Sequence, residues 1–422
     1  MQKQEQGAGS LFCYSQHMTL YVFENPLPNG TTLNLLDEKT QQHLKKLHQK
    51  GLIKTIPHKS TTTIKTINTN TYLGLTQQPQ SYTPLPATTH PNGHTVISLF
   101  AGAGGSALGL EKAGYTIHQC YELDKTAVAT LNTNRPTWCT TPTDITTTNF
   151  THLHHKIDLI EGGFPCQPFS HAGNREGLND TRGTLFHHYL RAVHEIEPKA
   201  FIAENVPGLL TNDKGNTWKT IHHAFTQPTP TGATYTIHHK VLRSHWLGIP
   251  QKRDRLIIVG IRNDQRDPEG FEFPVEQEHV VTLRTALQGV PDSPGVSYSD
   301  AKYEIMRQVP EGGNWKDLPR ELQVMLTNGK GGVDGSYSGT AKRLAWDEPS
   351  LTILASPAQR RTERCHPEHT RPLAVREAAR VQTFPDDWGF SGGVTAQYRQ
   401  VGNAVPPRLS YLVGVQVEKH LM

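Results

Sequence analysis

The 422-residue chain has no uninterrupted apolar stretch near the roughly 18 residues that a bilayer-spanning helix needs. Its start, Met-Gln-Lys-Gln-Glu-Gln, lacks the apolar core of a secretory signal. Neither a membrane-spanning nor an exported chain is expected, which leaves the cytoplasm. Cysteine is scarce as well, with five residues at 13, 120, 139, 166 and 365 and no Cys-x-x-Cys pair. That scatter suggests neither a disulfide framework nor a zinc ribbon, and reduced thiols fit the compartment. Cys365, His366 and His369 are three donors without a fourth nearby, so they read as surface side chains and no structural metal is expected. Arginine is absent from residues 1–93, where eight lysines face four acids, while the remainder balances at 34 basic and 34 acidic residues. The net charge of +4 therefore resides in the extension. A basic extension can help hold an anionic partner, but so small a surplus argues little.

What is present divides the chain. Residues 76–93 are rich in Pro, Thr and Gln without periodicity and read as a linker. In the accessory extension before it, 1–75, a helix is expected over 37–51, followed by a hairpin from the alternating runs 52–56 and 62–72. This is the outline of a winged-helix module, although only one convincing helix precedes the hairpin where a helix-turn-helix needs two. After the linker, apolar runs at 95–100, 116–121, 157–161, 200–204, 234–242 and 255–261 alternate with helical segments, the last two being joined directly. Such alternation predicts an α/β fold with a mostly parallel sheet covered by helices. Residues 271–395 break into Gly, Pro and Trp-containing pieces and read as a second, smaller, loop-rich domain. The last 20 residues regain an amphipathic pattern after Pro406-Pro407, as a helix started by proline does, and are expected to return to the first domain at 94–270 and 396–422.

Four segments sit where chemistry is done. The first strand runs into Phe100-Ala-Gly-Ala-Gly-Gly-Ser106, whose glycines, Gly102 and Gly104 among them, let backbone NH groups and a helix end approach a ligand. The next strand ends about 20 residues on at Tyr121-Glu122-Leu123-Asp124, where a carboxylate can accept from both hydroxyls of a ribose. Dinucleotide and S-adenosylmethionine folds share both features. Asp144-Ile145 offers a carboxylate for an exocyclic amine and an apolar face for an adenine, with a helix cap as the alternative for Asp144. Phe164-Pro165-Cys166-Gln167 follows the third long run, so Cys166 should lie in a loop at the carboxyl edge of the sheet, though a buried thiol in a tight turn fits that residue alone.

Taken together, these segments resemble the DNA cytosine-5 methyltransferases. The resemblance runs from about Thr95 to the C-terminus with its blocks in order: 100–105, Glu122, Asp144, 164–170, 177–191, Glu204-Asn205-Val206, Gln251-Lys-Arg-Asp-Arg255, 371–388 and Gln400-Val-Gly-Asn-Ala-Val-Pro-Pro407. It implies a Rossmann-like S-adenosylmethionine-dependent methyltransferase sheet, mostly parallel with an antiparallel last strand, and a target-recognition domain at 271–395. Cys166 is then the nucleophile that adds to carbon 6 of cytosine. Glu204 bonds or protonates ring nitrogen 3, for which burial should raise its pKa. Arg255 bonds O2 and Arg253 organises the site. Phe100 packs on the adenine, Glu122 holds the ribose, and Asp144 with Ile145 holds the adenine edge. Pro165, Leu185 and Asn403 complete the pocket. Leu123 stands where a relative can have tryptophan, and Ser98 where an acid is common in the family. The loop 167–183, punctuated by glycines at 173, 177 and 183, suits a lid closing on an extruded base.

The implied partners are S-adenosylmethionine and double-stranded DNA, with the chain acting as a monomer in a prokaryotic restriction-modification system, near the nucleoid and alongside a cognate endonuclease that need not touch it. Lys342, Arg343, Gln359, Arg360, Arg361 and Arg364 are candidates for base or phosphate contact. A tRNA-methylating relative shares the Pro-Cys and Glu-Asn-Val blocks, but the large variable domain and the lack of a Cys-Phe-Thr element favour DNA. A DNA-binding regulator working through 1–75 is a third reading. An NAD-dependent dehydrogenase explains only the first glycine turn.

Overall fold

The computed structural model describes the strands at 6–7, 10–14, 19–23, 53–56 and 63–67, and all of 82–422 except 83, 89, 166–183, 278, 328–338 and 359–362. Two compact units result: Met1–Ser81 with Glu278–Val280, and Tyr82–Gln277 with Val281–Met422. In the first, β1 (Gln6–Gly7), β2 (Ser10–Tyr14), β3 (Thr19–Phe23), β4 (Ile53–Ile56) and β5 (Thr63–Ile67) form one sheet in the order β1-β2-β3-β5-β4. β4 and β5 are the hairpin expected from their alternation, with Ile53 opposite Ile67. The first three strands carry no strong local signal, and β3 lies parallel to β5 across a long stretch of chain. The helix expected over 37–51 lies outside the described residues.

The second unit is built on a seven-stranded sheet. Its strands and helices are β6 (Thr95–Leu99), α1 (Gly105–Lys112), β7 (Thr116–Glu122), α2 (Lys125–Asn134), β8 (Thr141–Pro142), β9 (Leu159–Gly162), α3 (Thr184–Ile196), β10 (Ala200–Asn205), α4 (Asn216–Thr226), β11 (Tyr235–Arg243) and β13 (Asp254–Arg262). A short strand, β12 (Gln251–Lys252), precedes β13 outside this sheet. The strand order is β11-β13-β10-β9-β6-β7-β8. All pairs from β10 to β8 are parallel, and β13 is antiparallel to both of its neighbours. β6, β9 and β10 are buried almost throughout, as strands covered on both faces by helices must be. One face packs on Ala107, Leu110, Leu131 and Trp388, the other on Tyr189, Phe201 and Phe225. The chain winds outward from β6 to β8 and then restarts at β9 on the other side of β6. A ligand crevice is expected outside the carboxyl ends of β6 and β9, where that order reverses.

Residues after β13 form short pieces: α5 (Leu283–Leu287), α6 (Asp300–Met306), α7 (Arg320–Thr327), β14 (Ser350–Leu351) and α8 (Val375–Val381). Their own small core contains Tyr298, Met306, Trp315 and Cys365. Cys365 and His366 are therefore buried, not on the surface as their polarity suggested. The His366 ring takes backbone NH groups from Glu368 and His369 at 3.1 and 3.0 Å. α9 (Val394–Asn403) and α10 (Pro407–Glu418) complete the unit. α10 returns to the sheet domain by lying on α1, so closely that a Cβ on Gly109 would come within 2.1 Å of the Pro407 carbonyl.

Candidate functional site

The crevice at the strand ends is a cleft of about 720 Å³. One wall is the turn after β6. There Phe100 has φ 54, a left-handed conformation that costs a side-chain-bearing residue on the order of 1–3 kcal/mol and recurs where a ligand must be met. The turn is fixed by the Ala101 NH donating to Tyr121 O (3.1 Å) and the Gly104 NH to Ala101 O (2.9 Å). Glu122 at the end of β7 accepts from the NH groups of Gly102 and Asp124, both at 2.7 Å. Its carboxylate is thereby fixed at the mouth of the cleft.

The opposite wall comes from β10 and β13. Glu204 and Arg255 form an ion pair, Nε to Oε1 2.5 Å, with both side chains largely buried. Glu204 thus has a cationic partner in the cleft wall. Arg253 is 3% exposed and donates to Ile353 O at 3.3 Å and Ala404 O at 3.1 Å, while its Nε has no partner among the described residues. Burial, then the neighbouring Arg255, push its pKa down to about 9. Gln251 donates to Gln382 at 2.6 Å, and Gln382 donates to Val401 O and Ala404 O at 2.7 and 3.1 Å. This buried relay holds the 400–406 turn against the strand ends. Gly402 can pass there because it has no Cβ, which would meet Ala355 N and Leu354 C at 2.3 Å.

Between the walls, the segment leading to Cys166 is clamped by Asn205, whose Nδ2 donates to Phe164 O at 3.1 Å. A Cβ on Gly163 would lie 2.9 Å from Glu204 Oε2, so a side chain here would push against that carboxylate. Pro165 lines the cleft. Cys166 itself and the expected lid at 167–183 lie outside the described residues.

The cleft thus brings together Phe100, Gly102, Glu122, Pro165, Glu204, Arg253, Arg255 and Asn403. Gly104, Leu123, Asp144, Ile145 and Leu185 are not among its walls. Leu123 is 64% exposed and Ile145 is buried in the core. Asp144 accepts from the Thr146 NH at 2.9 Å, and the Thr146 hydroxyl and amide hold its carboxyl below the usual range. The carboxylate thus closes a local turn and caps no helix.

Sequence reasoning missed several wall residues. Arg399 of α9 pairs with Asp124 at 2.6 Å, and Asp124 in turn caps α2 through the NH groups of Thr126 and Ala127. Ser106 and Glu161 also line the cleft. Glu161 could have been suspected as an acid inside an otherwise apolar strand. Among the recognition candidates, Arg343 is 4% exposed and donates to the carbonyls of Val309, Met306 and His366 at 2.8, 2.7 and 3.1 Å, which removes it from contact with a base. Lys342 donates to Gly312 O, and Arg364 to Thr352 O and Glu363 O. Gln359, Arg360 and Arg361 lie outside the described residues. His154, His155 and Glu197 bring ligand atoms within 4.8 Å of one another, but Glu197 already accepts from the Thr229 and Thr231 hydroxyls.

Comparison with known proteins agrees with this arrangement. Residues 94–419 match the family model of the C-5 cytosine-specific DNA methylases. The chain is 48% identical to the type II methyltransferase M.Eco47II of Escherichia coli over 334 residues, 77% of this chain and 79% of that one. It is 47% identical to M.PspPI of Psychrobacter sp. (strain TA137), over 78% of this chain and 80% of that one. M.Sau96I of Staphylococcus aureus is 44% identical, over 78% and 76%. Among solved structures, a DNA modification methyltransferase encoded within an Escherichia coli prophage has the same fold, with TM-score 0.56 and 24% identity, covering 78% of this chain and 99% of that one. The S. pombe Dnmt2 methyltransferase also shares the fold, with TM-score 0.54 and 16% identity, covering 77% and 98%. A strand order with one antiparallel member, a glycine-rich turn and Glu204-Asn205 facing Pro165 across one cleft have their explanation here: the chain belongs to the C-5 cytosine-specific DNA methylases, enzymes that take their methyl group from S-adenosylmethionine.

Proposed function

We propose that the protein methylates carbon 5 of cytosine within a specific double-stranded DNA sequence, by transient covalent attack of Cys166 on a base extruded from the duplex. The observation that carries this reading is the meeting, in one cleft, of Pro165 with Glu204, Arg253, Arg255 and the glycine-rich turn. Cys166 follows Pro165 directly in the sequence.

The chemistry accounts for each group. Carbon 5 of cytosine is a weak nucleophile, and a thiolate adding to carbon 6 pushes an electron pair toward carbon 5 and ring nitrogen 3. Glu204 is suited to bond or protonate nitrogen 3, and Arg255, already against it, to bond O2. Arg253 is a positioning residue, since its guanidinium ties Ile353 and Ala404 together. After methylation the carbon 5 proton leaves to water and the Cys166 sulfur departs from carbon 6. Carbon 6 is hidden in stacked DNA, so the base must leave the helix first.

Arg255 and Arg399 neutralise Glu204 and Asp124 in the cleft walls, but Glu122 and Glu161 have no cationic partner among the described residues, which suits a positively charged cofactor. Phe100, Gly102, Glu122, Pro165 and Asn403, which line the cleft, would hold S-adenosylmethionine, which supplies an electrophilic methyl group. Residues 271–395 read the DNA sequence, and 1–75 is an accessory extension joined by the linker at 76–93. The type II relatives support a role as the modification enzyme of a restriction-modification system. The enzyme then works as a monomer in the cytoplasm, with an endonuclease as functional partner.

Bisulfite sequencing of DNA from cells expressing the protein tests this directly. Protected cytosines in one sequence context are expected, together with a stable protein–DNA adduct on 5-fluorocytosine DNA, where fluorine cannot leave as a proton. Both disappear in Cys166→Ser, and methylation that persists in that variant refutes the mechanism.

A further inference from the structure

Glu161 is an acid in the middle of the sheet. It lies on β9 directly opposite Ser98 of β6, and its Oε1 accepts from the Ser98 hydroxyl. The Ser106 hydroxyl, in the first turn of α1, also bonds it. The residue is 4% exposed, yet it lines the cleft beside Gly102, Gly105 and Ser106. No lysine or arginine pairs with it among the described residues. The charge that acts on it is that of Glu204, which has the same sign and is itself taken by Arg255. Cys120 of β7 and Tyr189 of α3 are the other titratable groups facing it, and burial raises the pKa of both, which keeps them neutral. A carboxylate with two hydroxyl donors and no cation is a costly thing to bury.

We propose that Glu161 is a binding residue for the positive charge of the cofactor, holding a proton while the cleft is empty and releasing it to solvent when the cation enters. The inference rests on the methyl-transfer reading of the cleft. S-adenosylmethionine carries a sulfonium and an α-ammonium against one carboxylate, so it brings the net positive charge that this wall lacks. The empty site meets the same demand by converting Glu161 to the neutral acid, and burial accordingly pushes its pKa up to about 7. The α-amino group of the ligand is protonated below roughly pH 7, so the exchange is one cation for one proton. The position also accounts for Ser98, which stands where the family commonly has an acid. The charge has moved across one rung of the sheet, from β6 to β9, and Ser98 now donates to it.

Titration calorimetry of the full-length protein with S-adenosylmethionine tests this at pH 6.5, in two buffers of different ionisation enthalpy. Wild type is expected to release most of one proton per site on binding, and none at pH 9. Glu161→Gln is expected to abolish the release and weaken binding tenfold or more, while binding of adenosine, which has neither charge, stays unchanged. The exchange Ser98→Asp with Glu161→Ser returns a carboxylate to the same rung and is expected to recover most of the affinity. Wild-type affinity and proton release in Glu161→Gln would overturn the proposal, as would an equal loss for adenosine, which marks a purely structural role. Wild type that binds no S-adenosylmethionine at all overturns the reading of the cleft as well.

Discussion

Asn205 offers a sharp test of how the segment before Cys166 is held. Its Nδ2 donates to Phe164 O at 3.1 Å, and its Oδ1 accepts from the Val206 NH at 2.9 Å. Phe164 and Asn205 are both buried, whereas Val206 is exposed and its NH can turn to water. Asn205→Ala therefore leaves one buried carbonyl without a donor, a loss of about 1–3 kcal/mol. Asn205→Asp has the same shape but the opposite consequence, because an oxygen replaces the donor facing Phe164 O. The variant either opposes two acceptors or takes up a proton. Protonating a group of ordinary pKa near 3.9 at pH 7 costs about 4 kcal/mol. The sign of the pH effect follows. The folded-state pKa of the new acid is raised, so its full stability is present below about pH 4 and is lost as pH rises toward the folded value. Urea unfolding at pH 5 and pH 8 is the assay. Asn205→Asp should be less stable than Asn205→Ala at pH 8 and should regain ground at pH 5. Methyl transfer should fall in both, since the clamp on the Cys166 segment is lost. An Asp variant as stable as wild type at pH 8 refutes the clamp.

Three further outcomes follow from other parts of the fold. Gly402→Ala drives a Cβ to 2.3 Å from Ala355 N and Leu354 C, backbone atoms that cannot step aside; it should destabilise by about 1–3 kcal/mol or more and lower cofactor affinity, by thermal melting and calorimetry. Arg343→Met strands the carbonyls of Val309, Met306 and His366; a loss of about 3 kcal/mol or more in unfolding free energy is expected, while any methylation that remains keeps its sequence context in bisulfite reads. His366 has its pKa pushed by burial from 6.5 to about 4. Its neutral form supports the fold above pH 6.5, and up to about 3 kcal/mol is lost as pH falls from 6.5 toward 4. A His366→Asn variant should flatten that part of the stability curve, and an unchanged slope rejects the assignment.

How much of this was legible in the sequence depends on whether a feature is written locally or in pairing. The strands β6, β7, β9, β10, β11 and β13 are apolar runs that local pattern alone locates to within a residue or two. The cleft was legible too, because parallel strands deliver their carboxyl ends to one edge. β3 beside β5 was not, since a parallel pairing between distant segments leaves no local mark. Leu123 and Asp144 show the opposite limit: a position in a motif does not say which way the side chain faces, and Leu123 points to solvent. Arg343 is a candidate for DNA contact because arginine can read guanine, but in this chain the carbonyls of a small core consume its donors. Ser98 and Glu161 join the two kinds of information. Read separately, one is a missing acid and the other an isolated charge in a strand. The register that places them opposite each other makes them one feature, since two adjacent parallel strands present the same level of the cleft to a ligand. A carboxylate can then move from one strand to its neighbour without leaving the site. The requirement for negative charge belongs to that level of the sheet, whichever residue number supplies it.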